Sequence, residues 1–150
     1  MPVRIQECDF DLSAEVAALR KANRQIGAIT VFLGTVRDMN EGSEVQGMTL
    51  EHYPGMTEKA LEEIVEQAKS RWKIGDALVV HRVGHLLPQD QIVLVVVTSA
   101  HRGEAFSACE FIMDYLKTAA PFWKKEQTLD GGRWVDARVS DDAAMARWKK

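Results

Sequence analysis

Three lysines and two large aromatic residues stand close together in the stretch DYLKTAAPFWKKE, residues 114–126. Lys117 falls near the end of a predicted helix, and Lys124 and Lys125 follow a Pro-Phe-Trp sequence. An ammonium group that is partly desolvated beside other cations has a lowered pKa, so it can transfer protons or act as a nucleophile. The simpler interpretation is structural: Lys117 pairs with Asp114 and favours the helix dipole, while the other two extend over the aromatic rings.

A second segment, TSAHRGE at residues 98–104, places two cations where a strand turns into a helix. His101 and Arg102 fall at the start of that helix, where free backbone N–H groups and the positive end of the dipole attract anions. The segment is therefore a candidate phosphate site. The alternative is that Arg102 is solvated or pairs with Glu104 and that His101 is a hinge residue.

A third segment, GTVRD at residues 34–38, ends an apolar strand with Arg37. Arg37 either pairs with Asp38 or another carboxylate, or it faces the same cleft as His101 and Arg102. The second possibility requires that the two strands are neighbours.

The remaining histidines and the cysteines give little support for other chemistry. His81 and His85 have a spacing that allows a metal pair, but no third ligand accompanies them, and a structural or surface role is favoured for both and for His52. Cys8 and Cys109 belong to no CxxC or Cys/His spacing. We expect no metal site, and we expect Cys109 to be a small core residue.

Helical and strand patterns alternate along the chain in a way that predicts an α+β fold. Helices are predicted for DLSAEVAALRKA, MTEKALEEIVEQAKSRW and GEAFSACEFIMDYLKTA, the last with Phe106, Cys109, Ile112, Met113 and Leu116 on its buried face. Strands are predicted for GAITVFLGTVRD, QGMTLEHY, DALVVHRVGHL, QIVLVVVTSA and GGRWVDARV, with a polar loop at MNEGSEV and a turn at LPQD. The first and fourth strands are apolar on both faces and are expected in the centre of a sheet. Strand pairs alternating with single helices favour a mostly antiparallel sheet covered by helices.

Length and charge limit the classes of protein that remain. A chain of 150 residues predicts one domain, 1–150, with the final ten residues as a helical turn or a loose tail. The net charge of −3 argues against a broad nucleic-acid-binding face. The apolar runs are too short to cross a membrane and the N-terminal stretch is unlike a signal peptide, so a cytoplasmic protein is expected.

Five stretches together resemble the large, catalytic subunit of molybdopterin synthase: FLGTVRD, LEHYPGMTEKAL, HRVGHLLPQD, VTSAHRGEAF and IMDYLKTAAPFWKKE. The resemblance covers most of the chain, from about residue 27 to residue 135. It implies an α/β-hammerhead fold and an enzyme that converts cyclic pyranopterin monophosphate to molybdopterin. Two sulfurs come from the C-terminal Gly-Gly thiocarboxylate of a small ubiquitin-like carrier subunit, so no cofactor is expected. It also implies a heterotetramer with two large subunits as a central dimer.

The same resemblance implies which residues contact the substrate, and they are Thr35, Val36, Arg37, His101, Arg102, Lys117, Lys124, Lys125 and Glu126. Lys117 and Lys124 match the lysines that the family ties to catalysis. Lys125 stands where the family more often has arginine, which keeps a charge but loses a bidentate phosphate contact.

Two other functions are compatible with these residues. One is a non-catalytic scaffold that binds a ubiquitin-like tail and a phosphorylated ligand. The other is a nucleotide-binding regulatory domain, which the lack of a glycine-rich loop makes weaker.

Overall fold

The computed structural model describes residues 2–40, 43–128, 131–135, 145–146 and 148; of residues 39–40, 43–45, 125–128 and 131–135 it describes the backbone only. The elements in chain order are β1 (Val3–Gln6), α1 (Leu12–Ala22), β2 (Ala28–Thr35), β3 (Met39–Asn40), β4 (Ser43–His52), α2 (Met56–Arg71), β5 (Ala77–Arg82), β6 (Gly84–Leu86), β7 (Gln91–Ser99), α3 (Arg102–Thr118), β8 (Phe122–Thr128) and β9 (Gly131–Val135).

The strands form two sheets. The first has the order β1-β5-β7-β2, in which β1 and β5 are parallel and the other pairs are antiparallel. The second has the order β3-β4-β8-β9, with β6 also paired to β4. The α+β prediction with mostly antiparallel pairing is confirmed. No helix among the described residues is long and apolar enough to span a membrane.

The core lies on both faces of the first sheet. Strands β5 and β7 are nearly continuous apolar runs because each face is covered. One face packs against α2 and α3, with Val79, Val95 and Val97 fully buried. The other packs against α1, with Val80 and Leu94 fully buried. Strand β7 is central, as predicted, but β2 is at the edge of the sheet, with Val31 and Phe32 exposed. The prediction of a central β2 is therefore wrong for the single chain.

Helix α3 buries a stripe at helical spacing that differs from the prediction mainly at Phe106, while Leu116 is partly buried. Ala105, Cys109 and Ile112 lie on this stripe and are buried. Phe106 was expected there but is 60% exposed, since it stands one residue, about 100° of helix rotation, beyond Ala105. Phe111 is buried in its place.

Glycine and proline divide two segments that the sequence patterns did not resolve. The predicted strand DALVVHRVGHL is split into β5 and β6, which join different sheets, and Gly84 at the start of β6 has a φ of +88° that favours glycine. After Pro121 the chain enters β8, a strand that was not predicted. The predicted loop MNEGSEV contributes β3 and the start of β4, which pair as a hairpin. Of the C-terminal tail, Trp148 packs edge-on against Trp72 and Phe111.

Candidate functional site

The antiparallel pairing of β2 with β7 decides which of the predicted site residues can meet. Ala28 pairs with Ser99 at one end of the two strands, and Thr35 pairs with Gln91 at the other. Arg37 follows Thr35, whereas His101 and Arg102 follow Ser99, so they lie at opposite ends of the sheet. Eight residues of strand separate these ends by ~25 Å. The strands are neighbours, as the hypothesis required, but Arg37 does not share a cleft with His101 and Arg102 within a single chain.

Helix α3 returns along the sheet and carries Lys117 to the end where Arg37 lies. The helix has 17 residues, which gives a length of ~25 Å between His101 at its N-cap and Lys117 in its last turn. Lys117 is exposed. The helix ends where Ala119 and Ala120 both donate backbone hydrogen bonds to Tyr115 O, before Pro121.

A buried histidine, His81, lies close enough to both predicted catalytic lysines for their charges to act on its ring. It is 8% exposed and lies in β5, at the same end of the first sheet as Lys117 of α3. The pKa of His81 is lowered to about 4, mainly by burial, against the hydrogen bond to Arg82 O, which raises it; Lys117, Lys124 and His52 add to the lowering. Charges from α3, β8 and β4 therefore act on one imidazole ring.

Strand β8 is held against this histidine by an aromatic stack. The rings of His81 and Phe122 lie nearly parallel, with centroids 4.0 Å apart and planes 19° apart. Phe122 opens β8, and Lys124 follows two residues later on the same face of the strand. Lys124 pairs with Leu50 of β4, and Phe122 pairs with His52. The stack joins the two sheets two residues before Lys124.

A buried threonine fixes the bend that precedes β8. Thr57 is fully buried near the start of α2. Its hydroxyl donates to Pro121 O at 3.0 Å and accepts from the backbone N–H of Tyr53 at 2.9 Å. The bend between Lys117 and Lys124 is thereby tied to α2, so the spacing of the two lysines is set by packing as well as by the proline.

The turn before β7 holds the segment that leads to Arg37. Val36 is buried, its N–H donates to Asp90 O at 2.9 Å, and its carbonyl accepts from Gln89 N at 2.8 Å. Thr35 and Arg37 on either side are exposed. Val36 therefore anchors the segment, while its two neighbours are accessible to a ligand.

At the other end of the sheet, the start of α3 has two accessible side chains, His101 and Arg102, and one buried carboxylate oxygen. His101 and Arg102 are both exposed, and His101 makes no side-chain capping bond. Glu104 Oε2 is buried without a hydrogen-bond partner among the described residues. The alternative in which Glu104 pairs with Arg102 is therefore not observed at this oxygen.

The side chains of Lys125 and Glu126 lie outside the described part of the structure. Their backbones pair with Thr49 and Met48 of β4. Their predicted substrate contacts stay predictions.

Three residues near the lysines were undervalued or missed in the sequence. A structural or surface role is favoured for His81 by the sequence, and the structure places it between Ile5 and Val93 of the neighbouring strands, where the charges of Lys117 and Lys124 act on its ring. The sequence favours a structural or surface role for His52 as well, and no sequence pattern singles out Thr57. The available signal was a histidine that directly follows the apolar run ALVV, because a buried polar group requires partners.

The other candidate chemistries find little support in the described residues. His85 is exposed on β6, away from the strand that holds His81. No group of three potential His, Cys, Asp or Glu metal ligands occurs in the part of the chain that the structure describes. Cys109 is buried, as predicted, and burial raises its pKa to about 11, so its thiol is protonated at neutral pH.

Fold and site together define an α+β protein whose candidate chemistry rests on lysine ammonium groups and anion-binding cations. The chain belongs to the MoaE protein family, whose model matches residues 5–119. The resemblance inferred from the five sequence stretches is thus confirmed.

Individual relatives agree with this assignment. The chain is 69% identical, over 146 residues, to a molybdopterin synthase catalytic subunit from Ralstonia nicotianae, covering 97% of this chain and 83% of the relative. The structure matches a molybdopterin biosynthesis MoaE protein from Burkholderia ambifaria with a TM-score of 0.85 and 64% identity, covering 99% and 97% of the two chains. It also matches a molybdopterin synthase from Staphylococcus aureus with a TM-score of 0.82 and 31% identity, covering 90% and 97%.

Proposed function

We propose that this chain is the catalytic subunit of a cytoplasmic molybdopterin synthase, an enzyme of molybdenum cofactor biosynthesis. It converts cyclic pyranopterin monophosphate to molybdopterin by two sulfur transfers from the C-terminal thiocarboxylate of a small ubiquitin-like carrier. The observation that carries the proposal is the placement of Lys117 and Lys124 on either side of one bend, where the charges of both act on the buried His81. Membership of the MoaE family and 69% identity to a named catalytic subunit support it.

The proposed chemistry explains why the site contains ammonium groups and no reactive thiol. The carrier's thiocarboxylate is ionised at neutral pH and is itself the nucleophile, so the enzyme supplies positioning, charge stabilisation and proton transfer. Lys117 orients the thiocarboxylate and takes part in proton transfer. Lys124 stabilises the negative charge that develops as the cyclic phosphate opens. Because two sulfurs are transferred in turn, a monosulfurated intermediate stays bound while carriers exchange.

The remaining predicted contacts require a second copy of the chain. Arg37, His101 and Arg102 grip the phosphate and the pterin, but one chain holds Arg37 ~25 Å from the other two. A two-fold dimer that brings β2 edges together antiparallel would place the Arg37 end of one chain beside the His101 end of the other. The exposed Val31 and Phe32 on the β2 edge are the apolar surface for such a contact.

The direct test is reconstitution with purified components. The chain is mixed with a thiocarboxylated carrier and the cyclic pterin precursor, and dithiolene product is measured. Product that depends on the chain supports the proposal; binding of both partners without turnover would show a scaffold instead. Arg102→Ala should weaken the apparent affinity for the precursor, while Arg20→Ala, an exposed arginine on α1, serves as the matched control and should not. An unchanged affinity for Arg102→Ala would remove Arg102 from the site.

A further inference from the structure

We propose that His81 is a positioning residue for Lys117 and Lys124. Its neutral imidazole accepts a hydrogen bond through Nε2 from the ammonium group of one of these lysines, and its ring holds β8 in place. The inference concerns the site of the proposed sulfur transfer and rests on that function. It goes beyond that function because it assigns a role to His81, which lies in the first sheet, whereas Lys124 lies in the second. Three features of the structure support it.

The first feature is the fixed tautomer of the ring. Nδ1 of His81 lies 2.8 Å from the backbone oxygen of Arg82, and a carbonyl oxygen can only accept, so Nδ1 carries the hydrogen. In a neutral ring the lone pair is then on Nε2, at the other edge. The Arg82 side chain is held in turn, since it donates to Glu7 O and Gln91 O at 3.0 to 3.1 Å.

The second feature is the set of charges around the ring. Among the described side chains, Lys117 from α3, Lys124 from β8 and His52 from β4 are the charged or titratable groups that act on it, and a carboxylate oxygen of Glu58 lies 3.9 Å from His52 Nε2. The strand neighbours are apolar, because His81 pairs with Val93 and Ile5. A protonated imidazole would repel both lysines, whereas a neutral one offers them an acceptor.

The third feature is the mechanical link to Lys124. The face of His81 stacks on Phe122, two residues before Lys124. The His81 ring therefore contacts the strand that carries Lys124, and the charge of Lys117 also acts on it. A change at His81 should affect the lysines even though the ring is almost inaccessible to solvent.

The test uses NMR of the chain alone, without carrier or precursor, so its failure is distinct from failure of the proposed function. Two-bond proton–nitrogen couplings of the ¹⁵N-labelled chain report the tautomer of His81. The His81 ring signals are assigned by their disappearance in His81→Gln. We expect hydrogen on Nδ1 and none on Nε2 from pH 7 to pH 5. A ring protonated at Nε2 in this range would overturn the proposal.

The lysine pKa values supply the second readout. The ¹³Cε shifts of Lys117 and Lys124, assigned with Lys-to-Arg variants, are titrated in the wild type, His81→Phe and His81→Gln. Phenylalanine keeps the stack but removes the acceptor, so the pKa of at least one lysine should fall by about one unit. Glutamine keeps an acceptor oxygen, so its shift should be smaller. Lysine titrations that are unchanged in His81→Phe would leave His81 with a purely structural role and refute the inference.

Discussion

The buried imidazole of His81 makes the stability of this protein depend on pH in a way that can be calculated. The pKa of His81 is about 4 in the folded chain, against 6.5 for a solvated histidine, the value expected in the unfolded chain. The unfolded chain therefore binds more protons below pH 6.5, and folding stability falls as the pH drops from about 7 to 4. The proton-linkage relation gives a loss of about 2 kcal/mol between pH 7 and pH 5, and about 3 kcal/mol in total below pH 4.

Urea unfolding of the wild type, His81→Phe and His85→Gln at several pH values measures this contribution. His81→Phe keeps an aromatic ring against Phe122 but has no group to titrate at this position. Between pH 7 and pH 5 its free energy of unfolding should therefore fall by about 2 kcal/mol less than that of the wild type. His85→Gln removes an exposed histidine and should retain the wild-type dependence. If the wild type and His81→Phe lose the same stability over this range, His81 is not the buried neutral group described.

Three further predictions concern parts of the fold that support the site. Thr57→Val leaves Tyr53 N–H and Pro121 O without their hydroxyl partner and should lower the free energy of unfolding by about 2 to 3 kcal/mol. Thr57→Ser keeps the hydroxyl and should lose less, and equal losses in the two variants would contradict the hydrogen-bond account. A thiol reagent should modify the exposed Cys8 rapidly and the buried Cys109 only after unfolding, and two fast thiols in the native chain would show that Cys109 is accessible. Gly84→Ala introduces a side chain at a φ of +88° and should destabilise the chain by about 1 kcal/mol, as thermal unfolding would show.

The sequence predicted the helices well because their apolar stripes are long and regular. The α2 pattern, from Leu61 to Ala68, is buried as expected. The strands were harder to predict, because a strand that is apolar on both faces reads the same in the centre of a sheet and at an exposed edge. That ambiguity explains the error for β2, whose Val31 and Phe32 are exposed in the single chain. Strand β8 was missed because its polar and charged residues follow a proline and do not alternate as a half-buried strand usually does.

The candidate site was predictable in its cations but not in its geometry. Sequence singled out Lys117 and Lys124 by type and by resemblance, and packing then placed both near one histidine. Whether Arg37 meets Arg102 depends on strand direction, which no local pattern records, and the antiparallel register of β2 with β7 separates them. His81 was undervalued because a lone histidine in a strand is usually structural, and only the tertiary contacts reveal the charges around it.

The most direct test of the account is the rate of dithiolene formation in a single turnover, with saturating thiocarboxylated carrier and cyclic precursor, for wild type, Lys117→Ala and Lys69→Ala. Lys69 lies on the exposed side of α2 and is the matched control. The account predicts that Lys117→Ala forms essentially no product while it unfolds at the wild-type urea concentration, and that Lys69→Ala keeps the wild-type rate. A wild-type rate for Lys117→Ala would contradict the central claim that this lysine carries the sulfur-transfer chemistry.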